Sequence, residues 1–432
     1  MRSIVRTATT SMVACCVALG TGPAVGAQTV GGSSSETAIT RATHGESAAL
    51  QSDSLLLPRS AFAVFDSLTA TRLAPGVVHL SGTIASGPFR VNVIAADLSL
   101  PTLGLEAVRA GSGLFGRERT SVLASDWEER SRADGDNVTV LAAVNADFFN
   151  LTTGEQLASQ VSTGRILKAR DGATNDPRAD VLVARSGRPH ILDATYAGVL
   201  LSDGHGMSLD AVNALPDRDS WLALFSPAFG RPVPVDSLSA HVFALREAGA
   251  RGDTILLVRD SAQRTLAASD SAQRTLLATG AARVRLARLR ASEDTIRLVH
   301  RFAPVGEGVK TLVGGRPAIV AEGASLHDAS GVFSGAPSAF ATMRHPRTAV
   351  GIGRSGTLLL LVTVDGRQET SVGMSLQELA ELMLELGAVD ALNLDGGGST
   401  TAVVRGEIAS SPSDASGERT VANALLLVLR AR

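Results

Sequence analysis

Asn393-Leu394-Asp395-Gly396-Gly397-Gly398-Ser399-Thr400 gathers an amide, a carboxylate, three glycines and two hydroxyls in one run. Asn393 and Asp395 bracket a single Leu, so both side chains leave a short strand on the same face. Three glycines are hard to justify by packing, because each weakens a strand-to-loop turn through its conformational entropy. They do permit close backbone approach to a ligand, with exposed N–H groups forming an anion-binding nest over Gly396, Gly397 and Gly398. Asp365-Gly366-Arg367 adds a second acid and a guanidinium whose planar fork matches a phosphate. Paired carboxylates divide acid and base roles or hold a divalent cation. The competing interpretation of each Asp-Gly step is a tight turn, which Asp before Gly often starts.

Two further segments carry candidate groups. Asn145-Ala146-Asp147-Phe148-Phe149-Asn150 follows the apolar run Val140–Val144, with Asn145 and Asp147 on one side of an extended chain and both phenylalanines free to anchor the loop. Arg344-His345-Pro346-Arg347-Thr348 leads into the strand-like Ala349–Ile352, where Arg347 is placed to hold an anion; a solvated loop is the simpler alternative. No two histidines stand at metal-ligand spacing such as H-E-x-x-H, and neither a G-x-S-x-G elbow nor a GxxxxGK[ST] loop is present.

Elements that must position these groups are clearest in the C-terminal third. Thr357–Val364 is an apolar run ending in Asp365. Ser375 and Glu378 stand at capping-box spacing, Leu376, Leu379, Met383 and Leu386 form one stripe, and Gly387 is placed to end the helix. Ala391–Leu394 leads into the glycine loop, and Thr401–Val404 and Ala424–Leu429 give two more strands. If the strands ending in Asp365 and Asp395 run parallel, their C-terminal ends share one edge, where open sheets bind ligands. Residues 72 to about 200 and about 207–309 read as short β-runs separated by turn clusters. The middle region also holds a direct repeat, Asp260–Leu266 against Asp270–Leu276, expected to be a local duplication in a surface segment.

At 432 residues the chain has ample material for a core, and a net charge of −2 gives no global case for nucleic acid or an anionic membrane. Aromatics at 3% argue against a stacking platform. Residues 1–27 read as a signal peptide: Arg2 and Arg6, an apolar stretch Ser11–Leu19, then Val25-Gly26-Ala27. Export to the periplasm or beyond is the expectation. Both cysteines, Cys15 and Cys16, lie in that segment, so thiol chemistry is not expected of the mature chain. Residues 28–71 lack periodicity and read as a flexible lead-in. No later run is long enough to span a membrane.

Taken in order, these motifs resemble the phosphodiester glycosidase family. The matching pieces are Ala143 to Phe149, His345 to Gly351, Val364 to Gln368 with Ser371, Gly373 and Met374, Asn393 to Thr400, and Pro412-Ser413-Asp414 with Glu418-Arg419. The likeness covers 72–432 and is densest over 344–430. It implies an α+β domain, a mixed β-sheet core with packed helices and a β-rich middle region. It also implies a glycosidase that breaks the bond between an anomeric carbon and a phosphodiester oxygen, acting on a sugar-phosphate or glycan. Under this resemblance Asp395 and Asp365 are the catalytic candidates. Asn145, Asp147, Arg347, Thr348, Arg367, Asn393, Gly396, Gly397, Gly398, Ser399 and Thr400 are the substrate-binding candidates. These motifs fix no cofactor, and a divalent cation on the paired acids is the open alternative. A metal-dependent phosphodiesterase and a non-catalytic module for anionic glycans are the competing functions.

Overall fold

The structure, a computed structural model, describes residues 57–431 except 112, 172–178, 203, 261–269, 292–294 and 335. These residues belong to one compact unit, Ile39–Arg432. The expected signal peptide lies outside the described residues. Regular structure begins inside the expected lead-in, with a helix at Arg59–Ala63 and a strand at Ser67–Ala74. No helix among the described residues is long and apolar enough to cross a membrane.

An eight-stranded sheet carries the C-terminal motifs. Its centre is the order Phe89–Asp97, Leu358–Val364, Arg347–Gly353, Ala388–Asn393. Arg347–Gly353 pairs antiparallel with both neighbours, Arg347 opposite Val364 and Ala349 opposite Asn393. The strands ending in Val364 and Asn393 are therefore parallel to each other with one reversed strand between them. The helix Leu376–Glu385 connects them. Its capping box is formed: Glu378 N donates to Ser375 Oγ at 3.2 Å and Ser375 N donates to Glu378 Oε2 at 2.8 Å. Gly387, at φ +93°, takes the left-handed conformation that ends the helix. The stripe Leu376, Leu379, Leu382 and Met383 is buried against one face of the sheet, each Leu contributing about 1.5–3 kcal/mol.

The opposite face of that sheet is covered by a second sheet instead of helices. Five strands, ordered Glu407–Ile408, Ala402–Val404, Val138–Asn145, Asn423–Arg430 and Leu103–Arg109, form it. Ile94, Val350, Leu359, Leu361 and Leu392 of the first sheet share a core with Leu105, Leu141, Val144, Leu425 and Leu427 of the second. The outer face of the second sheet packs on the helix Thr120–Ala133 through Leu123 and Ala124. The centre of this region is thus a β-sandwich with helices on its outer faces.

Thirteen strands make the third sheet, which takes in most of the described strands of the middle region and holds its own core around Leu222, Leu224, Leu245, Leu276 and Leu298. Ser162 Oγ and Thr311 Oγ1 fasten it to the sandwich by donating to Ala107 O and Leu105 O. The architecture corrects the expected α+β class. Strands dominate and helices are few, so this is a mostly β structure, not a sheet core packed by helices. The repeat needs a second correction. Its second copy continues into the strand Gln273–Thr279, buried along its whole length, while residues 261–269 of the first lie outside the described residues.

Candidate active site

Strand order brings the predicted groups to one end of the sandwich. The first sheet supplies Asp365 and Asp395, one at the C-terminal end of each parallel strand, with Arg347 starting the reversed strand between them. Two interstrand spacings separate the strands, about 10 Å. Pro346 fills the gap: a Cβ on Gly366 would lie 2.7 Å from Pro346 N and one on Gly396 would lie 2.8 Å from Pro346 O. The second sheet supplies Asn145 and Asp147 from the end of Val138–Asn145. Asp395 N donates to Ala146 O at 2.9 Å, which ties the two sheets together at this edge.

Asn145 is the knot of the frame. Its Nδ2 donates to Asp395 O at 2.6 Å, and its Oδ1 accepts from Thr348 Oγ1 at 2.7 Å and Thr401 N at 3.1 Å. Thr400 Oγ1 stands 3.4 Å from Thr348 Oγ1. Asp147 is buried, and its Oδ2 accepts from Ala158 N at 2.7 Å while its own N–H donates to Asn423 Oδ1 at 2.9 Å. Lys168 secures the same loop, donating from Nζ to Glu155 Oε1 and Gln156 O, each at 2.7 Å. Burial lowers the Lys168 pKa, opposed by Glu155 and Asp147. Asn393 gives Nδ2 to Arg316 O at 2.7 Å, and its buried Oδ1 has no partner among the described residues. Asn145, Asp147, Thr348 and Asn393 are therefore buried struts with side chains turned into the protein frame.

Arg347 is also buried. Its Nε donates to Met374 O at 2.8 Å and its Nη2 to Phe340 O at 2.8 Å and Met343 O at 3.0 Å, over the Phe340 ring. Burial, then the charge of Arg367, pushes its pKa down to about 10, with Glu378 opposing. It stitches the approach to the strand. The glycine loop has a comparable explanation. Gly396 N donates to Asp395 Oδ1, Gly397 N to Pro346 O, Ser399 N to Gly396 O and Thr400 N to Gly397 O. These four amides serve protein acceptors. The three glycines fit under neighbours that are remote in sequence: Pro346 over Gly396, Arg367 Nη2 at 3.0 Å from a Cβ on Gly397, and the Asp414–Arg419 pair over Gly398.

The parts open to solvent form a smaller set. Asp395 is half-buried, Arg367 exposed, and His345, Arg316, Arg419 and Phe148 are partly exposed. Burial pushes the Asp395 carboxyl up to about 6, while the Ser399 hydroxyl, Arg419, Gly396 N–H and Arg316 pull it down. Arg419 holds Asp414 in two bonds, Nε to Oδ2 at 2.7 Å and Nη2 to Oδ1 at 3.0 Å. Its loop is anchored by Glu418, which accepts Ser121 N at 2.9 Å and Ser121 Oγ at 2.5 Å at the uncapped start of the helix Thr120–Ala133. Arg316 lies over Phe148, 5.4 Å from its ring centre, and Phe148 packs edge-on to Phe340. Arg367 Nη2 is 3.5 Å from His345 Nδ1, and burial, then Arg347 and Arg367, lowers the His345 pKa. Asp365 is more withdrawn at 3% exposed. Its Oδ1 accepts Ser411 N at 3.0 Å, and burial pushes it up to about 6 against Ser411 and Arg90.

One acid near neutrality among arginines suits attack on, or water activation beside, a centre that leaves as an anion. Arg316 and Arg419 are additions to the sequence-predicted set. Arg419 lay in a matched motif without a role, and no local signal marks Arg316. Among the described residues no three His, Cys, Asp or Glu side chains gather as a metal-ligand set.

Residues 240–428 match the family model described as "Phosphodiester glycosidase". N-acetylglucosamine-1-phosphodiester alpha-N-acetylglucosaminidase of Bos taurus is 36% identical over 124 residues, which is 29% of this chain and 23% of that protein. The human enzyme of that name is 46% identical over 81 residues, 19% of this chain and 15% of its own length. The matched stretches thus span less than a quarter of these relatives. A solved Synechocystis protein shares the fold at TM-score 0.61 and 20% identity, over 84% of this chain and 64% of its own.

Proposed function

This chain carries a phosphodiester glycosidase domain, and on that premise we propose that it is an exported hydrolase of sugar-1-phosphodiesters. The observation that carries the proposal is Asp395, half-buried, its carboxyl pushed up to about 6 by burial, with Arg316 and Arg419 acting on it and Arg367 beside the neighbouring Gly397. The scissile bond joins the anomeric carbon to a phosphodiester oxygen. Water attacks the carbon and gives a proton to ionised Asp395. The carbon–oxygen bond breaks, and its electron pair leaves on the phosphate. A phosphate leaving group needs little protonation, so cationic stabilisation matters more than a strong general acid. Arg367, exposed beside the glycine loop, is assigned to the departing phosphate, with Arg316 supporting. Asp365 is assigned a secondary role because it is withdrawn behind Ser411. Export rests on the signal-peptide pattern of residues 1–27, and an envelope glycan or extracellular polymer is the proposed natural substrate.

Incubation of the protein with an N-acetylglucosamine-1-phosphodiester in isotopically labelled water tests the bond broken. Label in the sugar hydroxyl is expected. Label in the phosphate would mean phosphorus–oxygen cleavage and would overturn the glycosidase assignment. No turnover over a panel of sugar phosphodiesters would favour a binding module.

A further inference from the structure

Arg367 has a left-handed backbone at φ +61°, a conformation that crowds any side chain against its own peptide units. Thr163, Glu322 and Arg405 share that conformation for a local reason. Each precedes a left-handed glycine in a two-residue hairpin loop, between Ser162 and Arg165, Ala321 and Ala324, and Val404 and Glu407. Such loops take positive φ at both positions. Arg367 lies in no such loop, because it is followed by Gln368, which pairs with Ser371. Strain of this kind persists where the surroundings over-determine it, and it concentrates at functional sites. Here Gln368 N donates to Ser371 O at 3.0 Å, Gln368 Nε2 to Ser411 O at 2.9 Å and Ser371 Oγ to Asp365 O at 2.6 Å, which pins the chain on both sides of Arg367.

The strained backbone places the guanidinium. A Cβ on Gly397 would meet Arg367 Nη2, Cζ and Nη1 at 3.0, 3.5 and 3.6 Å, so the group lies against that glycine, two residues from Asp395. Among the described residues Arg367 makes no ion pair, and its side chain has one polar partner, His345, whose Nδ1 stands 3.5 Å from Nη2. Contacts in ligand-free sites are often this long and tighten once substrate binds. His345 is itself fixed: its N donates to Met374 O at 3.2 Å and its O accepts from Met374 N at 2.9 Å. Burial, then Arg347 and Arg367, hold the His345 pKa below its ordinary value, so the ring is neutral and one of its nitrogens is free to accept.

We propose that His345 is a positioning residue for Arg367: its Nδ1 accepts from the guanidinium and, with the left-handed backbone, holds that group over Gly397 before a phosphate arrives. The role rests on the glycosidase function proposed for the site, which gives the guanidinium its phosphate. An exposed arginine loses rotamer freedom when it closes on a ligand, and an arginine already held in place loses less. A neutral acceptor suits this task because it orients the guanidinium and leaves its charge for the anion, whereas a carboxylate in the same place would compete with the phosphate.

The test is a mutant cycle on kcat/KM for an N-acetylglucosamine-1-phosphodiester, run with the full chain. His345→Leu should lower kcat/KM by about tenfold in the parent and by less than about twofold once Arg367→Met is present, since a residue acting through Arg367 then has nothing to position. His345→Asn carries an acceptor oxygen near the place of Nδ1 and should restore kcat/KM to within about threefold of the parent. The contact is read separately, without turnover, by nitrogen NMR of isotope-labelled histidine: Nδ1 should carry no proton, and its resonance should move in Arg367→Met. A loss from His345→Leu that persists undiminished in Arg367→Met, an Asn variant as poor as Leu, or an unmoved Nδ1 resonance would each overturn the positioning role. A protein that turns over no sugar phosphodiester yet keeps the Nδ1 response would overturn the glycosidase function while upholding the contact.

Discussion

Asn145 holds Asp395 from the opposite sheet: its Nδ2 donates to the Asp395 carbonyl at 2.6 Å, while its Oδ1 is fixed by Thr348 and Thr401. The acid at the end of one strand therefore takes its position from an amide at the end of a strand in another layer. Asn145 is fully buried, so its bonds are not shared with water.

Asn145→Ala removes three bonds at once, taking the acceptor from buried Thr401 N and leaving Thr348 Oγ1 only its 3.4 Å contact with Thr400 Oγ1. Stability should fall by about 1–3 kcal/mol. The glycosidase assignment further expects kcat to fall about 100-fold, the order of loss from an ångström of misplacement, with KM little changed. Chemical denaturation and steady-state kinetics read the two effects separately. A large rise in KM with unchanged kcat would make Asn145 a substrate contact, not a strut.

Asp395→Asn tests the acid directly. Turnover should drop by about 1,000-fold with the fold and thermal midpoint retained, the magnitude expected for loss of a general base or nucleophile. In the unsubstituted protein, ionised Asp395 is the working form, and its carboxyl is raised to about 6. The pH profile of kcat/KM should therefore lose activity as pH falls through about 6, tenfold per pH unit below it. An acid limb in the ordinary carboxylate range would contradict burial as the controlling influence.

Asp365 offers a stability test that is independent of turnover. Burial raises its carboxyl from the ordinary 3.8 to about 6, so the native state holds a proton that the unfolded chain has released. This contribution is full below the unfolded value and is lost as pH rises through about 6, which amounts to about 3 kcal/mol. Asp365→Asn keeps an oxygen for Ser411 N and removes the titration. Relative to the unsubstituted protein it should gain stability between pH 4 and pH 6 and hold that gain above. Parallel stability curves across this range would show that Asp365 is not held up by burial.

Much of the site's frame was legible because its signals are local. The capping box at Ser375 and Glu378 and the stripe through Leu379 and Met383 marked the helix, and the two strand-end acids do share one edge of the sheet. Sheet order is not local. Nothing in the pattern of Arg347–Gly353 shows that it lies reversed between the two parallel strands. The α+β class was an implication of the family resemblance, and it fails because Leu358–Val364, buried on both faces, has a helix on one side and a second sheet on the other. The glycines suggested a ligand cradle because their neighbours, Pro346, Arg367 and the Asp414–Arg419 pair, come from other segments. Arg316 acts on Asp395 across a similar sequence distance.

Arg347 separates the anion-binding expectation from the stitching role most sharply. Its guanidinium is 1% exposed and donates to the carbonyls of Phe340, Met343 and Met374, so it fixes the segment around His345 and Pro346. Arg347→Met keeps much of the side chain's bulk but leaves three carbonyls without that donor. The cost should be about 3 kcal/mol or more, since bonds from a charged donor are worth about 1.5–3 kcal/mol each and are not additive. Arg367→Met, on an exposed residue over Gly397, should leave the thermal midpoint nearly unchanged and weaken use of the phosphodiester by about tenfold or more. Thermal denaturation and kcat/KM on the same two variants decide the matter. If Arg347→Met were as stable as the parent and lost only affinity for the anionic substrate, the guanidinium would have to leave its carbonyls and reach the ligand, and the stitching role would fail.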